Sequence, residues 1–264
     1  MKKFSKWYLL IIMFFLCLII IPFTLSKYST TIRKTITLNA RQPEYDVEFK
    51  RNVLPIGYQE VEYIESTGTQ WINTDFRPKS NEKYKYQLDF KLIDLEKEIQ
   101  SVMGNDTADI RVDKNGFWNG NEEWPYIGTN RNNLAIEIIP NNGKWIKKRF
   151  VNEEIANQFE SGYWYNDYIA IFTNLAYKTQ RISKAKVFSA KIWDKDILVR
   201  NFIPCYRRSD GKIGMYDTVN NVFYTNQGSG TFLKGDNVYN SVTSSTIVTN
   251  QEDHTLYAMW KPNS

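Results

Sequence analysis

Apolar and polar residues alternate along much of this chain, and an alternation of two is the period of a half-buried β-strand. The cleanest example is residues 84–92, whose apolar face is formed by Tyr84, Tyr86, Leu88, Phe90 and Leu92. Shorter runs of the same kind predict strands at 44–50, 100–103, 109–113, 134–139, 145–151 and 168–172. Residues 153–159 predict a helical turn instead.

Turn residues separate these strands. Asp194-Lys195-Asp196 joins two strands within residues 185–232, the first with Phe188, Ala190 and Ile192 on one face. Asn-Gly pairs, which favour tight hairpin turns, occur at residues 115–116, 119–120 and 142–143. About a dozen short strands with such turns predict an all-β fold, a two-sheet antiparallel sandwich.

Charge is distributed unevenly. Seven Lys and Arg residues and no acid lie in the first 41 residues, and subtracting them from the formal charge of +5 leaves −2 for residues 42–264. A basic patch for nucleic acid is therefore not expected. Aromatic residues make up 15% of the chain, which favours a sandwich with many rings exposed to water.

The N-terminus carries the features of an export signal. Lys2, Lys3 and Lys6 precede an apolar run from Trp7 to Leu25. Residues 1–26 are consistent with a secretory signal peptide cleaved after Ser26. The 19-residue run 7–25 is equally consistent with an uncleaved membrane anchor, an N-terminal hydrophobic helix. Both alternatives place the remainder outside the cell, because the lysines stay cytoplasmic.

Cysteine and histidine are scarce. Cys17 lies within the apolar run, so Cys205 is the single cysteine of the exported part, and His254 is the one histidine. An internal disulfide and a Cys/His metal cluster are thereby excluded. We expect Cys205 to be buried as a small apolar residue, because free cysteines in strands usually are.

Two segments resemble a known family. Residues 185–232, "AKVFSAKIWDKDILVRNFIPCYRRSDGKIGMYDTVNNVFYTNQGSGTF", and residues 57–78, "GYQEVEYIESTGTQWINTDFRP", are similar to the closing and opening strands of concanavalin A-like (laminin G-like) jelly-roll domains. Such domains occur in surface proteins of Gram-positive bacteria and their phages. The resemblance implies a jelly roll over 58–234 and a lectin-like or glucanase-like scaffold.

The C-terminal segment resembles a different module. Residues 235–264 end in "HTLYAMW", similar to the end of a Listeria–Bacteroides repeat, a small β-grasp-like surface module. "YDVEF" at residues 45–49 is similar to the first strand of such a repeat, although the following glycine pair is missing. This implies a small β appendage in which 45–49 pair with 256–260, with the jelly roll inserted between them. Residues 27–57 are then a spacer with one short strand.

Two clusters combine aromatic rings with hydrogen-bonding side chains, the combination by which proteins stack on sugars and bind their hydroxyls. They lie within "FWNGNEEWPY" and "GYWYND". The predicted carbohydrate-binding residues are Trp118, Asn119, Glu122, Trp124, Tyr126, Tyr163 and Trp164. The alternative for each ring is packing in the core or over a sheet edge.

Acidic residues suggest two further chemistries. Glu60, Glu62 and Glu65 approach the strand motif of laminarinase-type glycoside hydrolases, in which two carboxyls lie about 5 Å apart. Their central residue is Glu where that motif has Asp, and a solvated strand face explains them equally. Calcium could use oxygen ligands from Asp106, Asp109 and Asp113, but these lack the spacing of a known loop. We expect no other cofactor and no catalytic residues.

The sequence thus predicts an extracellular, non-catalytic binding or adhesion module at the cell surface. Its expected partner is a glycan or surface polysaccharide, with membrane contact through residues 7–25 if the signal is uncleaved. The alternatives are a secreted glycoside hydrolase using Glu60, Glu62 or Glu65, and a purely structural surface protein. Fold alone does not decide among these functions.

Overall fold

A computed structural model describes residues 45–51, 54–118, 125–177, 180–238, 240–242 and 256–262, and the fold is given for these. The chain divides into two compact units. The first comprises residues 1–46 and 261–264, of which only strand ends are described. The second, Val47–Trp260, contains the sandwich.

The described chain consists of strands and one short 3-10 turn at Leu175–Tyr177. The strands are β1 (Tyr45–Arg51), β2 (Tyr58–Glu60), β3 (Ile64–Thr67), β4 (Ile72–Asn73), β5 (Tyr84–Leu92), β6 (Ile99–Gly104), β7 (Asp109–Asp113), β8 (Arg131–Asn141), β9 (Lys144–Val151), β10 (Glu154–Ser161), β11 (Ala170–Ile171), β12 (Lys184–Asp194), β13 (Ile197–Arg207), β14 (Ile213–Asp217), β15 (Val222–Thr225), β16 (Leu233–Lys234), β17 (Asn240–Val242) and β18 (Leu256–Pro262).

Two sheets form the sandwich. The larger has the order β10-β9-β8-β5-β12-β13-β14-β15, with β2 added to β13 and β3 bridging β12 and β16. The smaller has the order β4-β11-β6-β7. Paired strands in both sheets run antiparallel, so the prediction of an all-β antiparallel sandwich is confirmed.

The core lies between these sheets, because one hydrophobic cluster draws side chains from both. In β5 the predicted alternation is complete, with Tyr84 and every second residue to Leu92 buried. From the smaller sheet, Ile72, Met103 and Ile171 join the same cluster. Burying one such side chain stabilises the folded state by about 1.5–3 kcal/mol, which holds the two sheets together.

A third, three-stranded sheet has the order β17-β1-β18. Its central strand pairs antiparallel with β17, Phe49 lying opposite Val242. Strands β1 and β18 are hydrogen-bonded neighbours in this sheet, and the pairing of residues 45–49 with 256–260 stays a prediction. Assignment of these strands to a repeat module stays a prediction.

Two element predictions were wrong. The segment 153–159, predicted as a helical turn, lies almost entirely in an edge strand, β10 (Glu154–Ser161). Asn152 and Glu153 both have positive φ, at 49° and 72°, which makes a two-residue hairpin that returns the chain along β9. Only Ala170–Ile171 of the predicted strand 168–172 is a strand.

Strand β12 follows the predicted alternation only in part. A bulge interrupts its pairing with β5 between Val187 and Ser189 and reverses the phase of the side chains. Val187, Ala190 and Ile192 are consequently buried. Phe188 is only half-buried and packs against Tyr63, with ring centroids 5.6 Å apart. One extra residue thus removed Phe188 from the predicted face.

The turn predictions that fall on described residues are confirmed. Lys195 and Asp196, with φ of 48° and 68°, connect β12 to β13, and Asn142-Gly143 connects β8 to β9. Cys205 is fully buried, as expected. The segment predicted to form an N-terminal hydrophobic helix and the turn predicted at residues 119–120 lie outside the described residues. Within the described part of the chain, no helix has the length and apolar character needed to cross a membrane.

Candidate functional site

Trp118, the first predicted sugar-binding ring, is buried completely and does not offer a face to a ligand. It bridges to Val112, which turns its indole into the core, and its Nε1 donates a hydrogen bond to the carbonyl of Asp109 at 3.4 Å. The structure therefore corrects this assignment to the structural alternative. The interior position follows from the β-bridge, which no alternation in the sequence reveals.

Of the other predicted sugar-binding residues in this first cluster, only Tyr126 lies within the described residues. Asn119, Glu122 and Trp124 lie outside the described residues. Tyr126 is exposed and rests edge-on against Phe117, with ring centroids 5.4 Å apart. Its ring also covers Gly116 and Gly128, where an added Cβ would come within 2.6 and 2.7 Å of the ring. Tyr126 therefore closes a turn and shows its other face to solvent.

The second predicted cluster is more accessible to a ligand than Trp118 is. Residues Tyr163 to Asn166, called here the aromatic segment, follow β10 and run over the surface of the sandwich. Tyr163 is 74% exposed, whereas the adjacent Trp164 is half-buried. Tyr163 and Tyr165 line one pocket, and Trp164 and Asn166 line a different one. The segment thus forms a wall between two depressions.

The first depression, called here the basic pocket, has a volume of about 300 Å³. Strands β7, β8, β9 and β10 supply its floor and sides, and the aromatic segment supplies its rim. The lining residues are Asp106, Thr107, Ala108, Asp109, Arg111, Ile136, Lys147, Arg149, Phe159, Ser161, Tyr163, Tyr165 and Tyr177.

Sequence reasoning missed most of the lining of this pocket, including its two buried basic residues, Lys147 and Arg149. They alternate on β9, so both side chains project from the same face, and only 7% and 6% of their surfaces are exposed. The apolar Ile146 and Phe150 of the same strand are less buried. One feature of the sequence could have revealed them: basic residues occur on both faces of this strand, so at least some of them must point into the protein.

Lys147 is held at the pocket floor. Its Nζ donates a hydrogen bond to the carbonyl oxygen of Thr107. Within the part of the chain that the structure describes, no carboxylate forms a salt bridge with this ammonium group. Burial is the main cause that lowers the pKa of Lys147 to about 8, and the nearby Arg149 and Arg111 act in the same direction.

The guanidinium of Arg149 is packed against aromatic rings. Its Cζ lies 5.2 Å from the centroid of Trp118 and 4.7 Å from that of Phe159. Burial lowers the pKa of Arg149 to about 10, partly countered by Tyr86 and Asp109. The rings set the orientation of the guanidinium plane, because stacked arginines lose rotational freedom.

Asp109 supplies the buried negative charge of the pocket. Its carboxylate accepts a hydrogen bond from the Ser101 hydroxyl at 2.9 Å, and Arg111 Nε lies 3.7 Å away. Burial raises the pKa of Asp109, whereas Arg111 and then Ser101 lower it. This carboxylate is therefore engaged by its own neighbours, Ser101 and Arg111.

The second depression, called here the tryptophan groove, has a volume of about 600 Å³. It is lined by Arg77, Pro78, Lys79, Ser80, Asn81, Trp164 and Asn166. Arg77 Nη2 donates to the carbonyl of Asn166 at 2.6 Å, and Trp145 Nε1 donates to that of Ser80 at 3.0 Å. These bonds fix both walls beside the half-buried Trp164 ring.

The acidic triplet does not form one strand face. Glu60 ends β2 opposite Cys205 of β13, whereas Glu65 lies in β3 opposite Lys186 of β12. Glu65 forms an ion pair with Lys186 at 3.7 Å, and Glu62 is exposed in the turn between the strands. The ion pair gives Glu65 a structural role.

Two of the three aspartates considered for calcium have other partners in the structure. Asp113 caps its own turn by accepting hydrogen bonds from the backbone N–H groups of Asn115 and Phe117, at 3.1 and 2.8 Å. Asp109 is engaged with Ser101 and Arg111, as described above. Among the residues for which the structure gives coordinates, no three His, Cys, Asp or Glu side chains converge as metal ligands.

Comparisons with known proteins assign this chain to no family. No protein-family model matches the chain, and no curated protein matches it. A crystal structure of a candidate carbohydrate binding protein from Bacteroides ovatus is similar over 70% of this chain, with a TM-score of 0.45 and 13% identity. The match covers 62% of that protein, so this chain spans less than two thirds of its length. A likeness at this level carries no functional argument.

Proposed function

We propose that this protein is a non-catalytic carbohydrate-binding or adhesion module displayed outside the cell, and that its aromatic segment contacts the sugar. The observation that carries the proposal is the arrangement of Tyr163 and Trp164. Consecutive rings, one exposed and one half-buried, open onto pockets on different sides of one segment. Sugars bind by stacking their apolar faces on such rings.

Hydrogen-bonding groups surround both rings. Ser161 and Thr107 line the pocket beside Tyr163, while Asn81 and Asn166 line the groove beside Trp164. Hydroxyls and amides of this kind match the donors and acceptors of a saccharide. A glycan lying across the aromatic segment would therefore meet a ring and polar groups on each side.

The wider context of the proposal comes from the sequence. The sandwich is a concanavalin A-like jelly-roll domain of the surface-protein type, and the C-terminal segment is a reduced Listeria–Bacteroides repeat. Residues 1–26 export the chain, and residues 7–25 hold it in the membrane if they are not removed. N-terminal sequencing of the protein recovered from the membrane and from the medium tests this: a start at residue 27 in the medium indicates cleavage, and a start at Met1 in the membrane fraction indicates an anchor.

Glycan-array screening of the full chain in mild detergent, followed by titration calorimetry on any bound glycan, tests the binding function. Tyr163→Ala and Trp164→Ala should each weaken binding about tenfold, which corresponds to ~1.4 kcal/mol. Tyr126→Ala is the matched control, because Tyr126 is an exposed ring that lines neither pocket. Unchanged affinity in both test variants would remove the aromatic segment as the site.

The two alternatives give different results in the same experiments. A purely structural surface protein would bind no glycan on the array. A glycoside hydrolase would release reducing sugar from a polysaccharide, and Glu60→Gln, Glu62→Gln or Glu65→Gln would abolish that release. Binding without release of sugar supports the module proposed here.

A further inference from the structure

Strand β9 places two charged side chains where a sandwich ordinarily places apolar ones. Lys147 and Arg149 are each more than nine-tenths buried, on the face of the strand that joins the pocket floor. Burying an ionised group is costly, and apolar residues of similar size often stabilise a protein as well or better. Such a departure from the pattern is expected where a site must bind something.

The described lining of the basic pocket contains charged groups of both signs, Asp106, Asp109, Arg111, Lys147 and Arg149. Asp109 is already engaged by Arg111 and Ser101. Lys147 has a backbone carbonyl as its hydrogen-bond acceptor, and no salt bridge to it occurs among the described residues. The ammonium group of Lys147 is therefore a positive charge in a poorly solvated place, with a neutral carbonyl as its hydrogen-bond acceptor.

The positive groups are also held in position before any ligand arrives. Trp118 and Phe159 constrain the plane of the Arg149 guanidinium, and Thr107 anchors the Lys147 ammonium group. Arginine donates paired N–H groups that match the oxygens of carboxylate, sulfate and phosphate. Little conformational freedom remains to be lost on binding, which favours affinity.

We propose that the basic pocket binds an anionic substituent of a saccharide, a carboxylate, sulfate or phosphate group, through Lys147 and Arg149. This proposal rests on the proposed function, since the sugar ring stacks on Tyr163 at the pocket rim while the anion enters the pocket. A volume of about 300 Å³ accommodates a charged substituent and part of one ring. An acidic glycan is thus selected over its neutral counterpart.

Matched ligand pairs that differ only in charge test the proposal on the full chain. The pairs are oligogalacturonate and its methyl ester, sulfated and desulfated keratan oligosaccharides, and glucose 6-phosphate and glucose. We expect at least one charged member to bind roughly tenfold or more tightly than its neutral partner, with affinity falling as salt is raised. The pair with the largest difference identifies the anion.

Variants of adjacent lysines locate the effect. Lys147→Met should abolish the preference for the charged ligand, and Lys147→Arg should retain most of it. Lys148→Met is the matched control: it removes the same charge from the next residue of β9, whose side chain is more exposed and lies 3.8 Å from Glu137. Lys148→Met should change the preference less than about twofold. Arg149→Gln provides a second test should Lys147→Met fold poorly.

The outcomes separate this proposal from the broader one. Equal binding of charged and neutral glycans, or equal effects of Lys147→Met and Lys148→Met, would overturn the anionic pocket while leaving carbohydrate binding intact. Absence of binding to every glycan would overturn both. A charge preference lost only in the Lys147 and Arg149 variants supports the assignment.

Discussion

Trp145 and Trp164 stack on one another, with ring centroids 5.3 Å apart and planes inclined by 28°. Trp145 belongs to β9, and Trp164 belongs to the aromatic segment, so the contact fastens the proposed sugar-binding segment to the sheet. Tyr84 of β5 meets Trp164 edge-on from within the core, at 6.0 Å. The segment is therefore anchored by one ring while Tyr163 remains exposed.

A double-mutant cycle measures this anchoring. Trp145→Phe and Trp164→Phe should each destabilise the protein by about 1 kcal/mol, and the double variant by less than the sum, because the lost stacking is shared. The coupling should be about 0.5–1 kcal/mol by urea denaturation. Strict additivity would show that the two rings do not stabilise each other in solution.

The stability cost of Lys147 should depend on pH. Its folded-state pKa of about 8 lies below its ordinary value of 10.5, so burial disfavours the charged form. Below pH 8 the full cost is present. Between pH 8 and 10.5 the unfolded chain binds more protons than the folded one, and stability rises with pH. The charged groups that act on Lys147 are Arg149, Asp109, Arg111 and Asp106.

Lys147→Met removes this titration. At pH 7 we expect the variant to be at least as stable as the parent, by about 1 kcal/mol, since an apolar side chain avoids the cost of charge burial. The difference between variant and parent should shrink as pH rises from 8 to 10.5. Urea denaturation across this range measures it. A large loss of stability at pH 7 would mean that Lys147 is required by the fold.

The hairpin between β8 and β9 should require glycine at position 143 because of its backbone conformation and not because a side chain would clash there. Its φ is +79°, and a Cβ added there would meet no atom within 4 Å. Gly143→Ala should therefore cost about 1 kcal/mol through strain at positive φ. Gly57→Ala is the control, since Gly57 has equal space and no positive φ, and should be neutral. Thermal unfolding of both variants decides whether the turn geometry is as described.

The thiol of Cys205 should not react with thiol reagents while the protein is folded. Burial is the main cause that raises the pKa of its thiol to about 12, so the reactive thiolate is scarce at pH 8. A disulfide reagent that reports released thiolate should give no signal from Cys205 until denaturant is added. Rapid labelling of the native protein would contradict the buried position of Cys205.

Much of the fold was predictable because it depends on short-range patterns. The alternation in β5 requires only a period of two, and Asn142-Gly143 requires only that two residues tolerate positive φ. The errors arose where one residue changed the phase or direction of a strand. The bulge at Phe188 and the hairpin at Asn152 are examples. Neither produces a distinctive apolar pattern in advance.

The candidate site was predicted less well. Tyr163 and Trp164 could be proposed from the sequence because aromatic residues beside Asn and Asp suggest a sugar site directly. Trp118 has the same local composition but is turned into the core by its bridge to Val112. Composition alone cannot distinguish a ring that faces solvent from one that faces the opposite sheet.

The sequence by itself determined the all-β class, the principal turns and one of the two aromatic clusters at the surface. Only the tertiary structure decided that Lys147 and Arg149 face inward and that Tyr163 and Trp164 serve different pockets. The physical reason is the period of the strand. A period of two establishes which residues share a face of a strand. Which of the two faces is buried depends on what packs against β9 once it lies between β8 and β10 in the sheet.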